Sequence, residues 1–481
     1  MKTLNKIILT LFFLAVSFSL TAQRTGELMY FSTLPQAQRY NPAKHGNNKF
    51  YIQIPVLGHF GVSANTSGFA YHDLVNQHPI YADSLQLDFE GFTEKLKENN
   101  YLGIGMSMDI LGFGFSVAKV NHFSFNMSLN TETRFNFSDG LFRLVAYGTE
   151  AEQESLNIFK DKLLDATSYL TTSVGYSRDI NDKLTVGANI KMYLGLANIN
   201  SQRTDVSLDY DGQTMATISD IDINTSNAFV NWSMKSAVAD DSDGVEFDDF
   251  EAKDLPSNIM KNKGFGFDLG ATYKINETMT VSASIVDIGK INWKSNTVNI
   301  HSLHPNTRVE FGGIASNYNT IGDDIDNYFD ELADSLKYAF DLEASDKGSY
   351  STALPTKLYA GYEWNFFPGM YAQALYKGRI IGGKLENSLT LVYTARLGSW
   401  IQASVGNTFA SKFFNPSAML SLKDIFYVGT TFASSLDAAE TTGLTAYFGL
   451  NIALKSKKAK KKETAYVSDE ASSLTFVETK M

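Results

Sequence analysis

Cysteine is missing from all 481 residues, and that one absence removes several functional classes. There is no thiol for a lipid-anchored N-terminus, a disulfide framework, a thiolate metal site or cysteine catalysis. Long apolar runs are also missing after the first twenty or so residues, so no later segment reads as a spanning helix, which needs ~20 apolar residues. Positive charge is the third scarcity. Against 52 Asp and Glu stand 41 Lys and Arg, a net charge of -11, and a nucleic-acid partner would want the opposite balance. The one basic run, "KSKKAKKKE" at Lys455 to Glu463, lies in the tail.

What is present is the material of a folded protein, 44% hydrophobic and 19% charged. Lys2 and Lys6 precede the apolar run Ile7 to Leu20 and then "TAQ", the pattern of a secretory signal peptide, so residues 1–22 are expected to be a leader cleaved after Ala22. Residues 23–48 are expected to be an N-terminal periplasmic segment and residues 455–481 a basic, unstructured tail.

Between them the dominant signal has period two. "HFSFNMSLN" sets Phe123, Phe125, Met127 and Leu129 against Ser124, Asn126, Ser128 and Asn130, and "SLTLVYTARLG" and "LTAYFGLNIAL" repeat the pattern. The alternation predicts strands near 50–65, 101–118, 122–137, 168–180, 183–200, 262–275, 279–290, 356–366, 370–381, 385–398, 400–410, 416–422, 425–433 and 442–454. Most are as long as the ~9–11 residues a tilted strand needs to cross a bilayer. Tight turns such as "AKVN", "DIND", "INET" and "FFPG" alternate with longer connections, four of them tens of residues long. Short turns at one end and long loops at the other describe an outer-membrane barrel with both chain ends on the periplasmic side. The fold class predicted is therefore all-β, a closed antiparallel transmembrane β-barrel of about 14 strands over residues 49–454, with a few short helices in its loops.

Aromatic residues at strand ends, including Phe366, Phe367, Trp400, Phe413, Phe414, Phe426 and Tyr427, are expected to form interfacial girdles. Helical spacing appears in Ile325, Tyr328, Phe329, Leu332, Leu336 and Phe340, and more weakly in Leu156, Phe159 and Leu163.

Motifs for chemistry are weak. "GRIIGGK" has the phosphate-loop spacing through Gly378, Gly383 and Lys384, but Leu385 stands where Ser or Thr would hold magnesium, and a strand follows instead of a helix. The acidic loop with Asp240, Asp241, Asp243, Asp248 and Asp249 fails the EF-hand pattern, and is at most a weak surface cation site. His301 and His304 lie three apart in an extended stretch, which does not suit a metal. No cofactor is called for, and no arrangement of Ser, His and acid marks an enzyme. Alternation does aim Lys357, Glu363, Lys377, Arg379, Glu386 and Arg396 into the lumen from adjacent strands, as a satisfied polar network or the lining of a passage.

One strand resists the pattern. In "TVSASIVDIGKINW" the apolar Val281, Ala283 and Ile285 alternate with serines, and Asp287 then falls on their lipid-facing side. The strand rises from a short turn, so Asp287 is expected near the outer interface, where a lipid-side charge costs only ~0–1 kcal/mol. Gly289 then marks a bulge, and Trp293 an anchor at that interface.

Three stretches carry a resemblance: "RYNPAKHG" with Asn41, Pro42 and Ala43, "SIVDIGKINW", and "YSTALPTKLYAGYEW". Together they resemble an uncharacterised family of secreted outer-membrane barrels, a domain of unknown function similar to the FadL-like and PorV-like 14-stranded barrels. The resemblance implies the fold, a Gram-negative outer-membrane location, and an N-terminal plug entering the lumen. No ligand-binding residue carries over. The expected partners are outer-membrane lipid and a small amphipathic or hydrophobic molecule passing a plugged barrel. The competing reading is a non-transporting scaffold that binds a secretion or surface protein.

Overall fold

The computed structural model describes residues 27–46, 48–77, 85–147, 155–210, 214–229, 232–234, 245–247, 253–312, 341–381, 383–398, 400–409, 415–433, 435–436 and 440–455. The leader, the acidic loop of Asp240, Asp241, Asp243, Asp248 and Asp249, the helical pattern from Ile325 to Phe340, Phe413, Phe414 and the tail after residue 455 lie outside these residues.

Fourteen antiparallel strands close into one barrel. The first runs in two pieces, Asn48–Gln53 and Phe60–Thr66. The next six are Asn99–Val117, Asn121–Ser138, Leu164–Asp179, Leu184–Tyr210, Lys263–Lys274 and Met279–Trp293. The last seven are Thr356–Phe367, Met370–Ile381, Lys384–Leu397, Ile401–Phe409, Pro416–Leu422, Phe426–Ala433 and Gly443–Lys455. Both pieces of the first strand pair with the second and the fourteenth, so the barrel wall has no free edge. Short links at 118–120, 180–183, 275–278, 368–369, 398–400 and 423–425 gather at the end where the chain enters and leaves the wall. Among the described residues no helix is long and apolar enough to cross a membrane.

The wall continues beyond the bilayer at the other end. The fifth strand has 27 residues, more than twice the ~9–11 a crossing needs. Its outer half pairs with Thr214–Asn227, which in turn pairs with Thr297–Ser302 and Thr307–Gly312. This outer ladder also captures Leu156–Phe159, expected as part of a helix, as a short strand against Ser207 and Leu208. An available row of backbone partners outweighs a weak helical pattern. Short helices Phe89–Lys95 and Asp139–Tyr147 meet through Phe92 and Phe142.

Outward positions form an apolar belt: Val174, Ile190, Phe265, Val405 and Ile452 each expose more than half of their surface. Such a belt would drive aggregation in water and is solvated by lipid. Trp364, Phe366, Phe367 and Trp400 are exposed beside the short links, as expected of a girdle. Tyr427 is a correction. Its strand places Val428 outward and Tyr427 inward, where it is fully buried and donates to the Gly58 carbonyl.

The largest apolar core lies inside the barrel. Two 3-10 turns, Glu27–Phe31 and Pro35–Arg39, carry Leu28, Met29, Tyr30, Phe31, Leu34 and Tyr40 against inward side chains of the wall, including Val286, Tyr359, Leu375 and Met419. Burying large apolar side chains, each worth ~1.5–3 kcal/mol, fastens the segment there.

The seventh strand overturns the expectation for its outer half. Ile285 pairs with Leu269 and Ile288 with Phe267, so Val286 and Asp287 together face the single residue Asp268. Asp287 has φ 61°, the left-handed conformation that aspartate tolerates better than most residues, and it forms a bulge. One extra residue flips the face of every side chain after it. Asp287 therefore points into the lumen and not to lipid, and Trp293 is fully buried instead of lying at the interface. Gly289 is not the bulge. It makes room for a ring, because a Cβ there would lie 2.8 Å from Cε2 of Tyr193.

Candidate functional site

The N-terminal segment is held by polar contacts as well as by its apolar side chains. Asn41 is fully buried; its Nδ2 donates to the carbonyls of Ala271 and Ala283, each at 3.2 Å, and its Oδ1 accepts from the Ala43 amide at 2.9 Å. Pro42 and Ala43 lie against Gly187, where a Cβ would come within 2.5 Å of the Pro42 carbonyl, and Gly270 gives the same clearance to Asn41 and the Pro42 ring. Only glycine permits that approach. Elsewhere Gln36 donates to Asn451 Oδ1 at 2.7 Å, Tyr30 Oη meets Ser282 Oγ at 2.8 Å, and Arg396 donates to the Phe31 carbonyl at 2.8 Å. Arg39 forms an ion pair with Asp109, which is fully buried beside an irregularity in the second strand at Ile110.

Past this segment the lumen carries a tier of paired charges. Lys191 Nζ lies 2.8 Å from Asp268 Oδ2 and 2.6 Å from Asp287 Oδ1, while Lys357 Nζ holds Asp287 Oδ2 at 2.9 Å. The bulge closes the arrangement, since the Asp287 amide donates to Asp268 Oδ1 at 2.8 Å and Asn189 donates to Asp268 Oδ2 at 2.8 Å. Two ammonium groups and two carboxylates cancel, with hydrogen bonds filling remaining acceptor sites, the condition under which buried ions are tolerated. Arg379 pairs with Glu132 at 2.5 Å, and Arg134 with Glu386 at 3.5 Å.

The six charges expected in the lumen all point there. Lys357, Arg379 and Glu386 join the pairs above; Lys377 is buried on the ninth strand; Glu363 accepts from Gln373 and lies 3.8 Å from Arg396. Their expected pairing across neighbouring strands is only part of the picture: Asp287 reaches Lys357 from the adjacent seventh strand, whereas Glu132 and Arg134 come from the distant third strand. Sequence reasoning missed Arg39, Asp109, Lys191 and Asp268. A signal was present: in "GMSMDILGFGF" the apolar positions slip from Met106, Met108 and Ile110 to Leu111, Phe113 and Phe115, and a slip of phase inside a long strand marks a bulge, here next to Asp109.

Between the N-terminal segment and the charged tier lies a cavity of about 190 Å³, enough for several waters. Gln36, Arg39 and Tyr40 form one side; Ser107, Ser124, Asn126, Ser128, Asn130 and Thr171 form the wall; Glu132, Lys191, Asp268, Asp287 and Lys357 complete it. These hydroxyls, amides and ions suit a hydrogen-bonding guest, while Tyr51, Val62, Met106, Phe125 and Tyr169 line it too and suit the apolar part of an amphipathic one.

The remaining sequence motifs are elsewhere. Gly383 sits at φ 80° in the short outer turn between the ninth and tenth strands, with no helix after it, so the phosphate-loop spacing is an accident of a tight turn. His301 and His304 belong to the outer ladder, where His301 lies 3.9 Å from Glu343 and His304 3.6 Å from Asp341. Trp293 packs at the outer end of the lumen with Tyr169, Tyr193, Ile291 and Leu354, its Nε1 donating to Thr352 at 2.8 Å.

Among solved structures, the toluene transporter TbuX of Ralstonia pickettii is 10% identical, over 87% of this chain and 94% of that one, with a TM-score of 0.40. A FadL homologue from Pseudomonas aeruginosa is 10% identical over 88% and 94%, at 0.38. The translocator domain of the autotransporter NalP from Neisseria meningitidis is 8% identical over 85% and 90%, at 0.31. Likenesses this remote say nothing about cargo. No curated protein matches the sequence. The family of unknown function DUF5723 matches residues 42–430, from the buried Asn-Pro-Ala motif into the thirteenth strand, and the chain belongs to that family.

Proposed function

We propose that this chain resides in a Gram-negative outer membrane, reached through a cleaved leader, and passes a small polar or amphipathic solute when its N-terminal plug shifts. The observation that carries this reading is the 190 Å³ cavity that lies between residues 35–40 and the charged tier. Its hydroxyl, amide and ionic lining favours solutes with hydroxyl, amino or carboxylate groups. The plug's polar contacts support a reversible seal, since each is of a kind that water can replace at a net cost of ~0.5–1.5 kcal/mol. No enzymatic step belongs to this reading.

Swelling assays with proteoliposomes test it. Sugars and amino acids should enter faster than into protein-free vesicles, and removing residues 27–40 should raise that rate several-fold. No entry of any polar solute through a correctly assembled barrel, with or without the segment, would overturn the proposal.

A second reading, a scaffold for a protein partner, is favoured by the outer ladder alone, in which the fifth strand and Thr214–Asn227 extend the wall past the bilayer. Crosslinking in intact outer membranes should then recover one stoichiometric partner through that ladder.

A further inference from the structure

At the end of the barrel with the short links, three side chains from distant parts of the chain meet. His45 lies on the N-terminal segment just before the first strand, His122 is the second residue of the third, and Asp179 is the last of the fourth. His45 Nε2 is 3.1 Å from Asp179 Oδ1 and His122 Nε2 is 3.6 Å from Asp179 Oδ2, with the two imidazole rings stacked 3.3 Å apart.

The hydrogen bonds fix the tautomer of His122. The Ser116 hydroxyl donates to the Asn48 carbonyl at 2.8 Å, which commits its hydrogen. The contact between Ser116 Oγ and His122 Nδ1, also 2.8 Å, must then use the hydrogen on Nδ1. In the neutral ring Nε2 is left bare, buried and without a hydrogen-bond partner, and its lone pair is aimed at a carboxylate. A bare imidazole nitrogen turned toward a half-buried carboxylate is an arrangement that a cation between them would satisfy.

We propose that His45, His122 and Asp179 form a binding site for a divalent transition metal of the zinc class. Candidate ligand atoms of the three residues lie within 4.8 Å of one another. A tetrahedral zinc site with bonds of about 2.0–2.1 Å needs ligand atoms about 3.4 Å apart, so a small closure and a splaying of the stacked rings complete it. Two imidazoles and one carboxylate leave a fourth position for water. The surroundings are those of a metal site. Ser116 orients His122 through Nδ1, and the Thr185 hydroxyl donates to Asp179 Oδ1 at 2.6 Å. The bound ion ties the N-terminal segment to the third and fourth strands at the point where the chain leaves the lumen.

The test uses the untagged mature barrel in detergent micelles, stripped with a chelator, its assembly checked by heat-modifiable migration. Zinc titrated against a chromophoric competitor should bind one equivalent, and cobalt should give the intense visible bands of a four-coordinate site. His122→Gln and Asp179→Asn should each weaken zinc at least about tenfold, whereas the double variant His301→Ala/His304→Ala should bind as wild type does. In wild type alone, zinc should also slow proteolysis after residue 45. Absence of stoichiometric zinc binding by the assembled wild type, or binding unchanged in His122→Gln, overturns the proposal. So does binding that disappears with His301 and His304.

Discussion

Two aspartates, Asp109 and Asp287, sit beside irregularities in the wall and point inward from it, yet they are neutralised in different ways. Asp287 takes both of its cations, Lys191 and Lys357, from the wall. Asp109 takes its cation, Arg39, from the N-terminal segment. If that segment withdraws, the Asp287 tier keeps its partners, while Asp109 loses its own and must be hydrated or protonated. The first pairing therefore belongs to barrel stability, and the second to the state of the plug.

Breaking the comparison at Asp287 should have the largest effect. Asp287→Ala leaves Lys357 without its carboxylate inside the wall and forces alanine into φ 61°. Removing one partner of a buried pair costs ~3–5 kcal/mol. Urea-driven unfolding in lipid vesicles should show a loss of that size, whereas Asp287→Asn should lose less, since asparagine also tolerates the left-handed conformation. Equal stability of Asp287→Ala and wild type would detach the tier from barrel stability.

Arg39→Ala should act on the other side. It leaves Asp109 buried without its cation only while the plug is seated, so the seated state should weaken by ~1.5–3 kcal/mol, the range for a hydrogen bond to a charged group. Solute entry should rise while the urea midpoint of the barrel stays near wild type. A change in the midpoint with no change in entry would merge the two aspartates into one structural role.

The smallest effect is expected at Gly270→Ala. The added methyl meets Asn41 and the Pro42 ring and should loosen the plug by on the order of 1 kcal/mol. Faster proteolysis near residues 39–43 would report it; an unchanged rate would mean the wall yields at Gly270.

The barrel itself was readable because its physics is local. The third strand, read as 122–137 from alternating "HFSFNMSLN", spans Asn121–Ser138, and the short links stand where tight turns were recognised. Alternation also aimed Lys357, Glu363, Lys377, Arg379, Glu386 and Arg396 inward, because each lies in a stretch free of bulges. It failed after Val286. A bulge adds one residue without changing the composition, so unbroken alternation puts Asp287 on the lipid side and Trp293 at the interface, where the structure turns both inward. The partners of the charges were also hidden. Glu132 and Arg379 are separated by 247 residues, and only closure of the barrel brings them together. The His45, His122 and Asp179 cluster was illegible for the same reason, since each residue alone is an ordinary polar group beside a turn.

The central claim is that residues 27–46 seal a polar path and that moving them opens it. The most direct measurement exploits the absence of cysteine from the chain. Gln36 and Asn451 hydrogen-bond to each other in both directions, at 2.7 and 3.1 Å, so Gln36→Cys/Asn451→Cys places two unique thiols at the contact of plug and wall. A short bis-methanethiosulfonate linker joins them and a reductant releases them. Solute entry into proteoliposomes should stop on crosslinking and return on reduction. Entry at the same rate with the plug locked would contradict the account.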